Sequence, residues 1–388
     1  MHPLATRNAA CVLRARRVCR GLSALFVALF LASAPVTVAA LEWRVELTPA
    51  GELFPALDLS QVPVGGDTDA GNGLLRIHLA GGARAEHLRV TVATDGLVAP
   101  ATIDLELSGE RVLRPRLDWD VSVLRRLVGA RRQSLDVTVT RTDGRVLAER
   151  LDVRVHPLDE ALYFVRDGDA RIDLGWAFAA WVDPQDPVVD ELVALAGIDA
   201  RAAAADGVAA ARAIWIALER RGLRYADDAA GISQGPVIYS QRVRLLADTW
   251  NERIANCLDG SVLIASALER LGVRTMLVLV PGHAFLGFSA GADAGHTEFL
   301  ETTFLGRAGA RDAAFDVRAR AGFDAARRAG DARYRRAAPR LDGRHRPNYA
   351  IIDIPTARSY GIMPFAVGRR ARSAAIHAPA AAPESAID

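Results

Sequence analysis

No lysine occurs anywhere in the 388 residues, so all 48 basic side chains are arginine. With 32 glycines and abundant alanine, this is the mark of a GC-rich coding bias. Arginine content therefore says little about nucleic acid, and no nucleic-acid partner is expected. Aromatic residues are sparse at 6%, and cysteine is sparser, with three in all. Cys11 and Cys19 fall in the first 40 residues, which leaves Cys257 alone beyond them and excludes a disulfide framework there. No apolar run reaches the ~20 residues of a comfortable membrane span. Metal-ligand spacings such as C-x-x-C or H-E-x-x-H are missing, so neither a metal nor a cofactor is expected. What is present, 51% apolar and 24% charged, excludes a mainly disordered chain. The length suits two or three domains of about 150 residues.

Residues 1–40 hold five arginines and no acid, then an apolar run from Leu22 to Ala34 and the small residues Val38-Ala39-Ala40. A basic start, a short apolar run and a small-residue site describe a cleaved export signal. The expected location is the periplasm or the medium, with no stable membrane span after cleavage; the competing reading is an uncut anchor. Arg16-Arg17 is followed by Val-Cys-Arg, a poor match to a twin-arginine signal, and the export route stays open. Residues 41–388 then carry 43 arginines against 46 acids, a net charge of −3. That charge is unevenly spread: residues 307–372 hold 16 arginines against six acids, or +10, and residues 41–306 are at −11. Such a segment either binds an anionic envelope polymer or lies down on its own acidic domain, and the second reading is preferred.

From Leu41 to about His156 apolar residues alternate with polar ones, as in Leu75-Ile77-Leu79, Leu88-Val90-Val92 and Leu151-Val153-Val155. Turn signals such as Asp95-Gly96 and Asp143-Gly144 separate these runs, which predicts an all-β sandwich, immunoglobulin-like, over 41–158. Asp67–Gly73 has the look of a calcium loop, but Gly71 and His78 stand where ligands are needed, so it is read as a strand connection. Past residue 160 the period changes. Asp186-Pro187 predicts a helix through about Ala196, and a second is predicted from about Asp206 to Arg221. Cys257–Leu271 is predicted as a helix buried on every side. Strands are expected at Thr275–Val280, Ala284–Phe288, Thr297–Thr302 and around Ile351–Ile354. Together these predict an α+β domain over 159–368 with a basic C-terminal extension, followed by an Ala/Pro-rich, disordered tail over 369–388.

Three motifs follow one another: Asn256-Cys257-Leu258-Asp259-Gly260, Val280-Pro281-Gly282-His283-Ala284-Phe285, and Phe299-Leu300-Glu301-Thr302-Thr303. A thiol nucleophile needs a base within reach, and the base needs a group that fixes its tautomer. Cys257 at a helix N-terminus would meet the positive end of the helix dipole, which favours thiolate. His283 and Glu301 would sit on neighbouring strands. The bland readings are an inert core thiol for Cys257, a first-turn acid for Asp259, and loop and strand-edge residues for His296 and Glu298.

The run from about Val208 to Thr303, roughly a quarter of the chain, resembles the transglutaminase-like branch of the papain-like cysteine enzymes. That family has a Cys opening a buried helix, a His starting a strand, and an Asp on the next strand before a Thr. Ala213-Ile214-Trp215 and Tyr225 also match its approach to the core. Here glutamate replaces the aspartate, and Asn-Cys-Leu-Asp-Gly looks like an exported bacterial subset. The resemblance implies a papain-like fold, a Cys257, His283, Glu301 triad, and covalent acyl transfer on a protein or peptide amide substrate. It leaves hydrolysis and transamidation open. The oxyanion would be held by the Cys257 N–H and by a side chain, for which Gln241 and Gln234 compete. The alternative is a catalytically inactive envelope protein of the same type that docks partners.

Overall fold

In the computed structural model the described residues are 41–61, 75–227, 232–291 and 296–365, with 232–234 described by their backbone alone. The export signal, the Asp67–Gly73 connection and the 369–388 tail lie outside them. By its contacts the chain divides into Met1–Ala39 and Ala40–Asp388, and everything below concerns the second unit.

Its N-terminal part is β. Glu42–Leu47, Leu75–Ala80 and Glu110–Leu113 form a three-stranded antiparallel sheet with Leu75–Ala80 at its centre. A six-stranded sheet runs in the order Glu52–Leu53, Val146–Val155, Arg131–Arg141, Glu86–Thr94, Val98–Leu107, Asp118–Trp119. Alternation puts Val90 and Val92 opposite Val139 and Val137, and these four are fully buried together with Ile77 and Leu79 of the smaller sheet in one apolar cluster. That cluster continues beyond residue 160 through Ala179, Trp215 and the helix Cys257–Arg270.

Past residue 160 a four-stranded sheet joins Ala170–Asp173, Glu160–Asp167, Ile238–Arg242 and Ile232–Gln234 in that order. A second carries the candidate site, in the order Thr297–Leu300, His283–Ser289, Thr275–Val280, Ala350–Asp353, antiparallel throughout. One set of alternating residues, Leu277, Leu286, Phe288, Leu300 and Ile352, joins the main core with the Cys257–Arg270 helix, in which every residue from Cys257 to Leu268 is buried. Val278, Phe285 and Phe299 form a separate cluster closed by Tyr334 and Leu341.

Local chemistry sets the helix limits. Pro187–Ala196 starts after Asp186, whose Oδ1 accepts the Val188 N–H at 2.9 Å, and ends at Gly197 in the left-handed region. Gly207–Arg221 is capped in the same way by Asp206 and Gly222. The third strand stops at Leu300, short of Thr302, because Glu301 turns out of the ladder and caps a 3-10 turn over Thr302–Phe304. A 23-residue helix, Phe315–Ala337, occupies about a third of the basic segment 307–372, where the sequence reading offered a charge excess and no helix. Some of its arginines pair with acids, whereas Arg320, Arg328, Arg335 and Arg336 are exposed. Arg318 meets Asp312 at 2.9 Å and Arg327 meets Glu298 at 2.7 Å. Beyond the helix, Arg346 meets Asp173 at 2.6 Å and Arg358 donates to the carbonyls of Ala179 and Val182. None of the described helices is long and apolar enough to cross a membrane.

Candidate active site

Cys257 is the first residue of its helix, and the Asn256-Cys257-Leu258-Asp259-Gly260 motif explains how it is held. The Asn256 Oδ1 accepts the N–H groups of Leu258 and Asp259, both at 2.9 Å, and the Asp259 Oδ2 accepts the Asn256 N–H at 3.1 Å. This reciprocal box satisfies helix-end donors but leaves the Cys257 N–H at the open end of the helix. Asp259 is 1% exposed and also grips Arg244, accepting from its N–H at 2.9 Å and its guanidinium at 2.7 Å. Burial raises its carboxyl pKa against the pull of Asn256 and Arg244. Asp259 is thus a structural acid in the first turn. Gly260 has its own reason: a Cβ there would stand 3.0 Å from the Thr302 Cβ. The close approach lets the Thr302 hydroxyl donate to the Cys257 carbonyl at 2.9 Å, tying the cysteine to the turn after Glu301.

His283 opens its strand opposite Val280, after Gly282 has turned the chain at φ +68°. The ladder ends at the Leu286–Leu300 pair, and Glu301, the first residue beyond it, meets His283 with its side chain. The His283 Nε2 donates to the Glu301 Oε2 at 2.7 Å. The bond engages Nε2, and the Cys257 thiol lies near enough to the ring to favour its charged form, although no hydrogen bond joins the two among the described residues. Burial disfavours the imidazolium, but the thiol and the carboxylate outweigh it and raise the His283 pKa to about 9. Glu301 is 1% exposed. Burial works against its charge too, yet His283, the Thr303 N–H and Arg333 hold its carboxyl below the ordinary value. Tyr225 stands near enough for burial and then the charges of Cys257, Asp227 and Glu301 to raise its phenol pKa.

The structure therefore joins His283 to Glu301 and leaves Cys257 near the ring. It does not join Gln241 to them. That residue lies half-buried on Ile238–Arg242, opposite Ala161 and Ile232, and among the described residues no hydrogen bond links it to the three. The side chain of Gln234 lies outside the described residues. His296 bonds Glu298 at 3.0 Å, and Glu298 turns to Arg327. Among the described residues no group of three or more His, Cys, Asp and Glu side chains could hold a metal. Arg244 and Arg333 escaped the sequence reading, because a lone arginine in an arginine-rich chain carries no spacing signal. No family model matches the chain, and no curated protein matches its sequence.

Proposed function

We propose that this chain is an exported, transglutaminase-like cysteine hydrolase or transamidase that cleaves amide bonds of a protein or peptide through a thioester. The observation that carries the reading is the 2.7 Å His283–Glu301 bond on an imidazole that lies near the Cys257 thiol. An imidazole with a carboxylate behind it and a thiol before it is the minimum set for such chemistry.

In the forward half-reaction the Cys257 sulfur forms a bond to the amide carbonyl carbon. The negative charge that gathers on the oxygen faces the Cys257 N–H at the helix end. The C–N bond then breaks as the imidazolium gives its Nδ1 proton to the departing amine, leaving an acyl thioester and neutral His283. Water or a second amine adds to the thioester while His283 takes its proton, and the C–S bond breaks to restore the ion pair. Glu301 orients the ring and stabilises its charged form throughout. Tyr225 borders the thiol.

Peptide amides incubated with the protein should release amine or ammonia, and Cys257→Ala should reduce that to background with the fold intact. Equal release by wild type, Cys257→Ala and His283→Ala would overturn the reading. The small exposure of Cys257, 9%, favours a second reading, a non-catalytic envelope protein that docks partners on this fold. In that case partner affinity survives Cys257→Ala and the wild type shows no turnover.

A further inference from the structure

The Glu301 Oε2 that accepts from His283 also forms an ion pair with the Arg333 guanidinium, whose Nε lies at 2.9 Å, and the Glu301 Oε1 accepts the Thr303 N–H at 3.2 Å. Glutamate has three side-chain torsions, and a buried carboxylate free to turn about them would not hold an imidazole in one orientation. Two donors and one ion-pair partner, arriving from a strand, a turn and a helix, restrict that freedom.

The helix that carries Arg333 is fixed to the Glu301 strand along a full turn and more. The Ala326 carbonyl accepts the Glu301 N–H at 3.1 Å. Asp331 accepts the Phe299 N–H at 3.3 Å, and the Tyr334 ring stacks on Phe299 with centroids 3.8 Å apart. At Gly330 the backbones are so close that a Cβ would lie 2.6 Å from the Phe299 carbonyl. Arg333 itself is 39% exposed, while the carboxylate it reaches is sealed. The arginine is therefore delivered by the helix docking and not by chance contact of a loose surface side chain.

Resting on the triad reading above, we propose that Arg333 is a positioning residue: it locks the Glu301 carboxylate in the orientation that holds His283, and it does not touch the reacting atoms. Its positive charge alone would act in the opposite sense, since a cation near the pair disfavours imidazolium. Positioning and bare charge thus predict shifts of opposite sign.

The test is an NMR titration of the His283 ring in the full chain, with the resonance assigned from His283→Gln. The groups that face the ring are Cys257 and Glu301; His283 and Arg333 face Glu301, with Tyr225 near both acids. Arg333→Ala should lower the His283 midpoint by about one pH unit, a tenfold loss of proton affinity, as the Glu301 carboxylate loses its fixed orientation. Arg333→Lys should recover part of that loss. Arg333→Ala should also slow labelling of Cys257 by iodoacetamide about tenfold, the same loosening of His283 read at the thiol. An unchanged or raised midpoint in Arg333→Ala overturns the proposal. If that variant fails to fold, Arg333→Gln, which keeps the stem, is read by the same criterion. Cys257→Ala separates the two levels: if it leaves the His283 midpoint where it was, the thiol–imidazole pair fails, whatever Arg333 does.

Discussion

His283 is where the electrostatics of the site converge, and its effect on stability has a definite sign. Its pKa is raised to about 9 from the ordinary 6.5. The folded state therefore binds the proton more tightly than the unfolded chain, and the gain is fully present below pH 6.5. It falls away as pH rises from there through about 9. Melting temperatures of wild type and His283→Gln should differ most at pH 6 and converge above pH 9; a gap that widens with pH would contradict the assignment. Asp259 gives a second prediction. Removing a buried acid that holds Arg244 and the helix cap should cost about 3–5 kcal/mol in Asp259→Ala. The cap alone, in Asn256→Ala, should cost only about 1 kcal/mol, and urea unfolding would rank the two. Cys257, His283 and Glu301 were legible in the sequence because each opens or closes an element with a recognisable border. Arg333 was not, because its role depends on which helix turn meets which strand.

At the scale of elements, helix starts and stops were the most readable feature. Asp186-Pro187 and Asp206 with Gly222 carry their caps in the sequence, and the structure puts the helices within a residue of them. Phe315–Ala337 was invisible for a physical reason. Its inward side combines Phe315 and Phe323 with Ala319, Ala326 and Gly330, small residues that let it sit close but add little to an apolar pattern. Gly330 is the tightest of these contacts. Alanine there would gain up to about 1 kcal/mol of helix propensity. The gain is outweighed by forcing a methyl against the Phe299 backbone, an overpacking cost of about 1–3 kcal/mol or more where no side chain can yield. Gly330→Ala should lower the urea midpoint and shift the His283 titration as Arg333→Ala does. A stabilised variant would mean that the helix rides more loosely than its contacts imply.

Across the whole molecule, the apolar cluster that begins between the N-terminal sheets runs on into the helix that carries Cys257. His156 stitches the same region: it is 4% exposed, stacked on Phe54, and bonded to Glu52 at 2.6 Å and Glu160 at 2.9 Å. A core shared in this way predicts one cooperative unfolding transition by calorimetry, and two separated transitions would show that the parts melt alone. Strand alternation revealed the β character of 41–158, but how its sheets meet the later helices depends on long-range packing, which no local spacing encodes. The thiol–imidazole pair carries the proposed chemistry. Its most direct test is the rate at which iodoacetamide alkylates Cys257 at pH 6–8, read on the Cys257 peptide by mass spectrometry. An assembled pair predicts fast labelling in the wild type and a loss of about tenfold or more in His283→Ala, the range of a positioned general base or charge partner. A Cys257 that is inert, or equally reactive with and without His283, would contradict it.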